Sequence, residues 1–115
     1  MNKDINVSTS QVNDVVYLDI SGDITAVTGQ VVKDAYEADN VARASMIMLR
    51  FGPDCYINSG GLAFLIDIAS EGRKKAQKIA ATGLSEHFQK IFHMVGLTRC
   101  ISVHATEESA LKYLK

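Results

Sequence analysis

The run Ser45-Met46-Ile47-Met48-Leu49-Arg50-Phe51 constrains the fold of this chain more than any other segment. It has the length of one strand and hardly a polar interruption. A strand with one face in water alternates apolar and polar residues; an unbroken run belongs in the middle of a sheet covered on both faces. Gly52-Pro53-Asp54 then stops it. Such a sheet needs helices on its faces, and the rest of the chain offers them.

Two strands open the chain, Ile5 to Thr9 and Val15 to Ile20, with an Asn-Asp turn signal between them. Val27, Val31, Ala35 and Ala38 then predict one apolar helix face. A long helix is expected from Ser59 or Gly60 to about Gln77, and a short strand over Lys78–Thr82, closed by Gly83. Ser85 is placed to cap a helix carrying Phe88, Ile91, Phe92 and Val95, with Gly96 at its stop. A last strand, Cys100 to Val103, precedes a helix capped by Thr106, opened by Glu107 and Glu108, and faced by Ala110, Leu111 and Leu114. The order β-β-α-β-α-β-α-β-α predicts an α/β fold. Its mostly parallel central sheet has about five strands, an opening antiparallel hairpin and about four helices. At 115 residues the chain forms one domain, 1–115.

Composition narrows the function. With 47% hydrophobic and 22% charged residues the chain is an ordinary globule. A net charge of -1 gives no global positive field for a polyanion, so nucleic acid is not expected as a direct partner. Charge is uneven: Arg73, Lys74, Lys75 and Lys78 make the second half basic, as suits the end of a helix. Cys55 and Cys100 form no CxxC, Met1 to Ile5 lacks the apolar core of a signal peptide, and no apolar stretch is long enough to span a membrane. A reduced cytoplasmic protein is the expectation. His87 and His93 fall on opposite helix faces, and HExxH, GxxxxGK[ST] and GxGxxG are absent, so neither a metal nor a cofactor is expected.

The segment Cys55-Tyr56-Ile57-Asn58-Ser59-Gly60-Gly61-Leu62 carries the functional signal. A buried strand, a breaker and a polar Asn-Ser pair lead straight into a helix. Sites in α/β sheets gather beyond the carboxyl ends of the strands, and a helix amino terminus there favours an anion. A phosphate on Ser59 would be tolerated and would add roughly 1.5 to 2 negative charges to the surface. The plainer reading is that Ser59 or Asn58 caps the helix. In that helix Leu62, Leu65, Ile66, Ala69 and Ala76 form the expected core stripe, widened by Phe64 and Ile68. Phe64 falls near the polar boundary, where it either joins a partner surface beside Ser59 or lies under a neighbouring helix.

These residues resemble a known family. Asn58-Ser59-Gly60-Gly61-Leu62 is similar to the Asp-Ser-Ser/Thr-Gly-Leu box of STAS domains of the bacterial anti-sigma-factor antagonist type. Gly22-Asp23-Ile24-Thr25 resembles that family's Gly-Glu-Leu-Asp turn, and Ser85, Ile91-Phe92, Gly96-Leu97 and Thr106-Glu107-Glu108 follow its carboxyl-terminal pattern. The resemblance implies a protein-binding switch. The serine matching Ser59 is phosphorylated by a kinase that is also the anti-sigma factor; the unphosphorylated form binds that kinase and frees a sigma factor, and a phosphatase restores binding. Asp23, Thr25, Asp54, Asn58, Gly60, Gly61 and Phe64 are the expected partner-binding residues. Asn58 stands where the family has Asp, Arg50 where an acid ends the central strand, and Thr25 where the early turn has a second acid. Two other readings stand beside this one: a STAS scaffold in a sensory or transport assembly that is not phosphorylated, and a small α/β enzyme using Asp54, Cys55 or Ser59. A homodimer is compatible with the sequence, without an apolar stripe to assign its surface.

Overall fold

The computed structural model describes residues 4–115; the part of the amino-terminal reading that falls on Met1, Asn2 and Lys3 lies outside them. In chain order the elements are β1 (Asn6–Val12), β2 (Val15–Ser21), β3 (Asp23–Ile24), α1 (Gly29–Glu37), α2 (Asp39–Ala42), β4 (Met46–Phe51), β5 (Tyr56–Ile57), α3 (Ser59–Lys74), β6 (Lys78–Thr82), α4 (Glu86–Met94), β7 (Ile101–Val103) and α5 (Glu107–Leu114). Five strands form the main sheet in the order β1-β2-β4-β6-β7, and β3 pairs with β5 alongside it. Only β1 and β2 run antiparallel, from Asn6 opposite Ser21 to Val12 opposite Val15. Asn13 turns this hairpin at φ 55°, a left-handed conformation that asparagine tolerates better than most residues.

The apolar run occupies the middle of the sheet, as its composition demands. Ile47, Leu49 and Phe51 point into the larger core with Val16, Leu18, Ile20, Ile79 and Ala81; α1, α3 and α4 close that face. Met48 points the other way with Val15, Tyr17 and Ala80, where Ala110 and Leu114 of α5 cover them. One face therefore carries three long helices and the other carries one.

Caps and stops fall where the side chains put them. Ser85 accepts the Phe88 N–H and Thr106 accepts the Ser109 N–H, while Gly96 ends α4 with φ 82°. Among the described residues there are five α-helices rather than about four. The addition is α2, a single turn of four residues, too short to show a period. A 3-10 turn over Leu97–Arg99 takes up the approach to the last strand, which begins at Ile101 instead of Cys100.

Two helix faces differ from expectation. In α1 the inward residues are Gly29, Val32 and Tyr36; Val27 precedes the helix and is 83% exposed, and Val31 faces outward. In α3 they are Gly61, Leu65, Ile68, Ala69 and Gly72, whereas Ile66 is exposed and Ala76 lies beyond the helix at φ 57°. Leu65, Ile68 and Ala69 lie inward as expected, and the inward positions that were passed over have one cause. Glycines mark the closest approaches here, and a count of apolar side chains passes over them: a Cβ at Gly29 would enter the Phe64 ring, and one at Gly72 would sit 2.6 Å from Ile79 Cδ1. Val95, expected inward in α4, is the exposed cap residue after it.

Candidate functional site

Asn58 is extended, φ -94° and ψ 179°, and its Oδ1 accepts the Gly61 N–H at 2.8 Å. The cap thus belongs to Asn58, and Ser59 is the first residue of α3. Ser59 is exposed, and its hydroxyl makes no hydrogen bond among the described residues. The N–H groups of Ser59 and Gly60 find no acceptor there either. Two free donors at the positive end of a 16-residue helix surround an unengaged hydroxyl.

The early turn is built against this helix start. β3 pairs with β5 in parallel, setting Asp23 beside Tyr56 and Ile24 beside Ile57, and the Asn58 N–H continues the ladder to the Ile24 carbonyl at 3.1 Å. Gly60 and Gly61 make the approach possible. A Cβ on Gly60 would stand 2.7 Å from Ala26 Cβ, and one on Gly61 would collide with the Ile24 carbonyl. Thr25 and Thr28 hold the turn's shape. Thr25 Oγ1 accepts the N–H groups of Val27 and Thr28, both at 3.1 Å, and Thr28 Oγ1 donates to the Asp23 carbonyl at 2.6 Å. Two sequence motifs more than thirty residues apart thereby become one surface.

Of the expected partner-binding residues, Asp23, Thr25, Asn58, Gly60 and Gly61 come together with Ser59 in this way. Asp54 is exposed in the turn closed by the Cys55 N–H on the Gly52 carbonyl at 3.0 Å, at the entrance to β5. Phe64 is half-buried with its ring against Gly29 of α1, the packing expected of a residue under a neighbouring helix. Burial, with the nearby Asp23 carboxylate adding to it, pushes the Cys55 thiol up to about 11. A thiol so protonated at neutral pH is a poor nucleophile.

Two exposed residues beside this surface, Val27 and Tyr56, were not among the expected partner-binding residues. Val27 follows Ala26, which touches Gly60, and is largely exposed to solvent. Tyr56, three residues before Ser59, is 54% exposed, with its ring edge-to-face on Phe88 at 5.8 Å. The available signal was the Thr-Ala-Val-Thr sequence ahead of Gly29, which favours a hydroxyl-braced turn over a first helical turn.

The STAS domain family model matches residues 6–110. An anti-sigma-B factor antagonist of Listeria monocytogenes is 25% identical over 88 residues, covering 76% of this chain and 77% of its own. An anti-sigma factor antagonist from Mycobacterium paratuberculosis superimposes with a TM-score of 0.80 at 18% identity, covering 96% of this chain and 94% of that one. The phosphorylated form of the Bacillus cell fate determinant SpoIIAA superimposes with a TM-score of 0.66 at 16% identity, over 96% of this chain and all of that one. At these identities the two structures speak for the fold.

Proposed function

The chain belongs to the STAS domain family, and on that premise we propose that it is an anti-sigma factor antagonist switched by phosphorylation of Ser59. The observation that carries this reading is the division of labour at the head of α3. Asn58 does the capping, so the Ser59 hydroxyl is left exposed and unengaged. In the transfer, Ser59 Oγ loses its proton and bonds to the terminal phosphorus of ATP, and ADP departs. The product places about two negative charges beside free N–H donors, which the fold accommodates, and beside the turn of Asp23 and Thr25, where a bound partner would meet them. The antagonist acts by binding and breaks no bonds in a substrate of its own.

Its partners on this reading are an anti-sigma factor with serine kinase activity and a phosphatase, in the cytoplasm. The contact surface comprises Asp23, Thr25, Asp54, Asn58, Gly60, Gly61 and Phe64, extended by Val27 and Tyr56. Relatives bearing the antagonist name support this, as does a structural neighbour known in a phosphorylated form. Asn58 supports a second reading, a scaffold domain that is not phosphorylated, because a neutral cap supplies no carboxylate beside the serine.

Incubation with ATP and a panel of anti-sigma-factor serine kinases, followed by mass spectrometry, separates the two. Phosphate at Ser59 supports the switch, and a panel that leaves Ser59 unlabelled while labelling a control antagonist supports the scaffold. Ser59→Asp is expected to fold and to bind the anti-sigma factor weakly; undiminished binding would contradict the electrostatic mechanism.

A further inference from the structure

A groove of about 180 Å3 lies between the second half of α3 and the turn after α4, bounded by Ile66, Ala69 and Arg73 on one side and Val95, Leu97 and Cys100 on the other. Its rim is apolar and in water: Ile66 is 43% exposed and Val95 45%. Single exposed apolar side chains are ordinary, but two facing each other across one concavity make a patch. The groove lies away from Ser59. Arg73 is fourteen positions further along α3, about 21 Å at the helical rise.

Charge identifies what fits. Within the basic cluster that ends α3, Lys74 pairs with Glu71 at 3.7 Å and Lys75 sits 5.0 Å from the Tyr36 ring centre. Arg73 reaches the groove and has no ion pair among the described residues. None of the lining residues is acidic. The volume is below the roughly 300 Å3 at which small-molecule sites begin, so it suits one bulky side chain. A second copy docking its groove on this one by two-fold symmetry would offer Arg73 no carboxylate from the groove lining.

We infer that this groove is a second protein-docking site, which takes a partner segment that inserts one large apolar side chain and sets a carboxylate on Arg73. Placed at the far end of α3, it leaves the Ser59 surface free to engage another protein at the same time.

The test is an NMR titration of the full 15N-labelled chain with two acetylated peptides, Glu-Asp-Leu-Leu-Glu-Asp and Lys-Lys-Leu-Leu-Lys-Lys. Saturable shifts at the Ile66, Ser70, Gly96 and Cys100 amides are expected with the acidic peptide alone. Arg73→Gln should weaken that binding about fivefold, the scale of a rim ion pair, and Ile66→Ser should reduce it as well. Ser59→Asp should leave it unchanged, which keeps the result independent of the switch. The inference is overturned by an absence of saturable groove shifts at millimolar peptide, by equal responses to both peptides, by unaltered binding in Arg73→Gln, or by sedimentation showing that the groove closes a dimer.

Discussion

Arg50 holds Asp19 through both arms of its guanidinium, Nε to Oδ1 at 2.6 Å and Nη2 to Oδ2 at 3.0 Å. Its third nitrogen reaches Glu107 at 2.9 Å, and its Cζ lies 4.5 Å from the centre of the Tyr17 ring. One cation thus ties β4 to β2 and to the first turn of α5, and shields a buried tyrosine on the face where only α5 covers the sheet. This accounts for an arginine at the end of the central strand: Asp19 and Glu107 supply the opposite charge. Only a planar fork can make all these contacts. Arg50→Lys should therefore lower unfolding stability in urea by about 1–2 kcal/mol, the sum of a partly exposed ion pair and a cation–π contact. Equal midpoints for the variant and parent would show that the fork adds nothing beyond its charge.

Asn58 and Ser59 are neighbours with separate duties, and substitution should separate them. Asn58→Ala removes the acceptor of the Gly61 N–H and should cost about 1 kcal/mol. Ser59→Ala removes a hydroxyl without a hydrogen bond and should stay within about 0.5 kcal/mol of the parent. Thermal melts of the two variants side by side check this, and a larger loss for Ser59→Ala would return the capping role to the serine.

Much of this arrangement was legible in the residues. Met46–Phe51 read as a strand because a doubly covered strand is nearly all apolar, Lys78–Thr82 read as a short strand closed by Gly83, and Ser85, Gly96 and Thr106 punctuate helices through their own side chains or lack of one. The candidate site was legible as two motifs but not as one place. Their union depends on β3 and β5, two residues each, which no periodicity can announce. The inward face of α3 was legible at Leu62, Leu65, Ile68 and Ala69, but the glycines that complete it, and Gly29 on the inward face of α1, were passed over because tertiary packing uses glycine there. Tyr36 could enter the core only because Gln77 accepts its hydroxyl at 2.6 Å, a partner 41 residues away.

Gly61→Ala should be among the most damaging single changes in the domain. Its added methyl meets the backbone carbonyl of Ile24, which is fixed by its bond from the Asn58 N–H. Overpacking against backbone costs about 1–3 kcal/mol. The same change should loosen the Asp23–Thr28 turn, so hydrogen exchange at Val27 and Thr28 is expected to quicken. Unaltered exchange there would mean that the turn and the helix start are not mechanically joined.

Cys55 should respond to pH in a defined direction. Its thiol is raised from 9.0 to about 11, first by burial and then by Asp23. The folded state therefore keeps a proton that the unfolded state loses. Stability from this group is fully present below pH 9 and falls as pH rises towards 11. In a Cys100→Ser background, alkylation by iodoacetamide at pH 8 should run about a hundredfold slower than for a free thiol, following the lower thiolate fraction. Asp23→Asn should speed it. A rate matching that of a free thiol would remove the burial argument and revive Cys55 as a nucleophile.

Val27 and Phe64 allow the partner surface to be separated from packing. Val27 is displayed beside the Ala26–Gly60 contact and contributes little to the core. Val27→Ser should leave stability within about 0.5 kcal/mol while weakening capture by the anti-sigma factor about tenfold, as an exposed apolar anchor would. Phe64→Ala differs because its ring is seated on Gly29 between α1 and α3. It should cost about 2 kcal/mol of stability and weaken binding as well, through the turn that α1 holds. Titration calorimetry of both variants, paired with urea unfolding, distinguishes the roles. A Val27→Ser protein that binds undiminished would confine the partner's footprint to Ser59 and the residues that follow it.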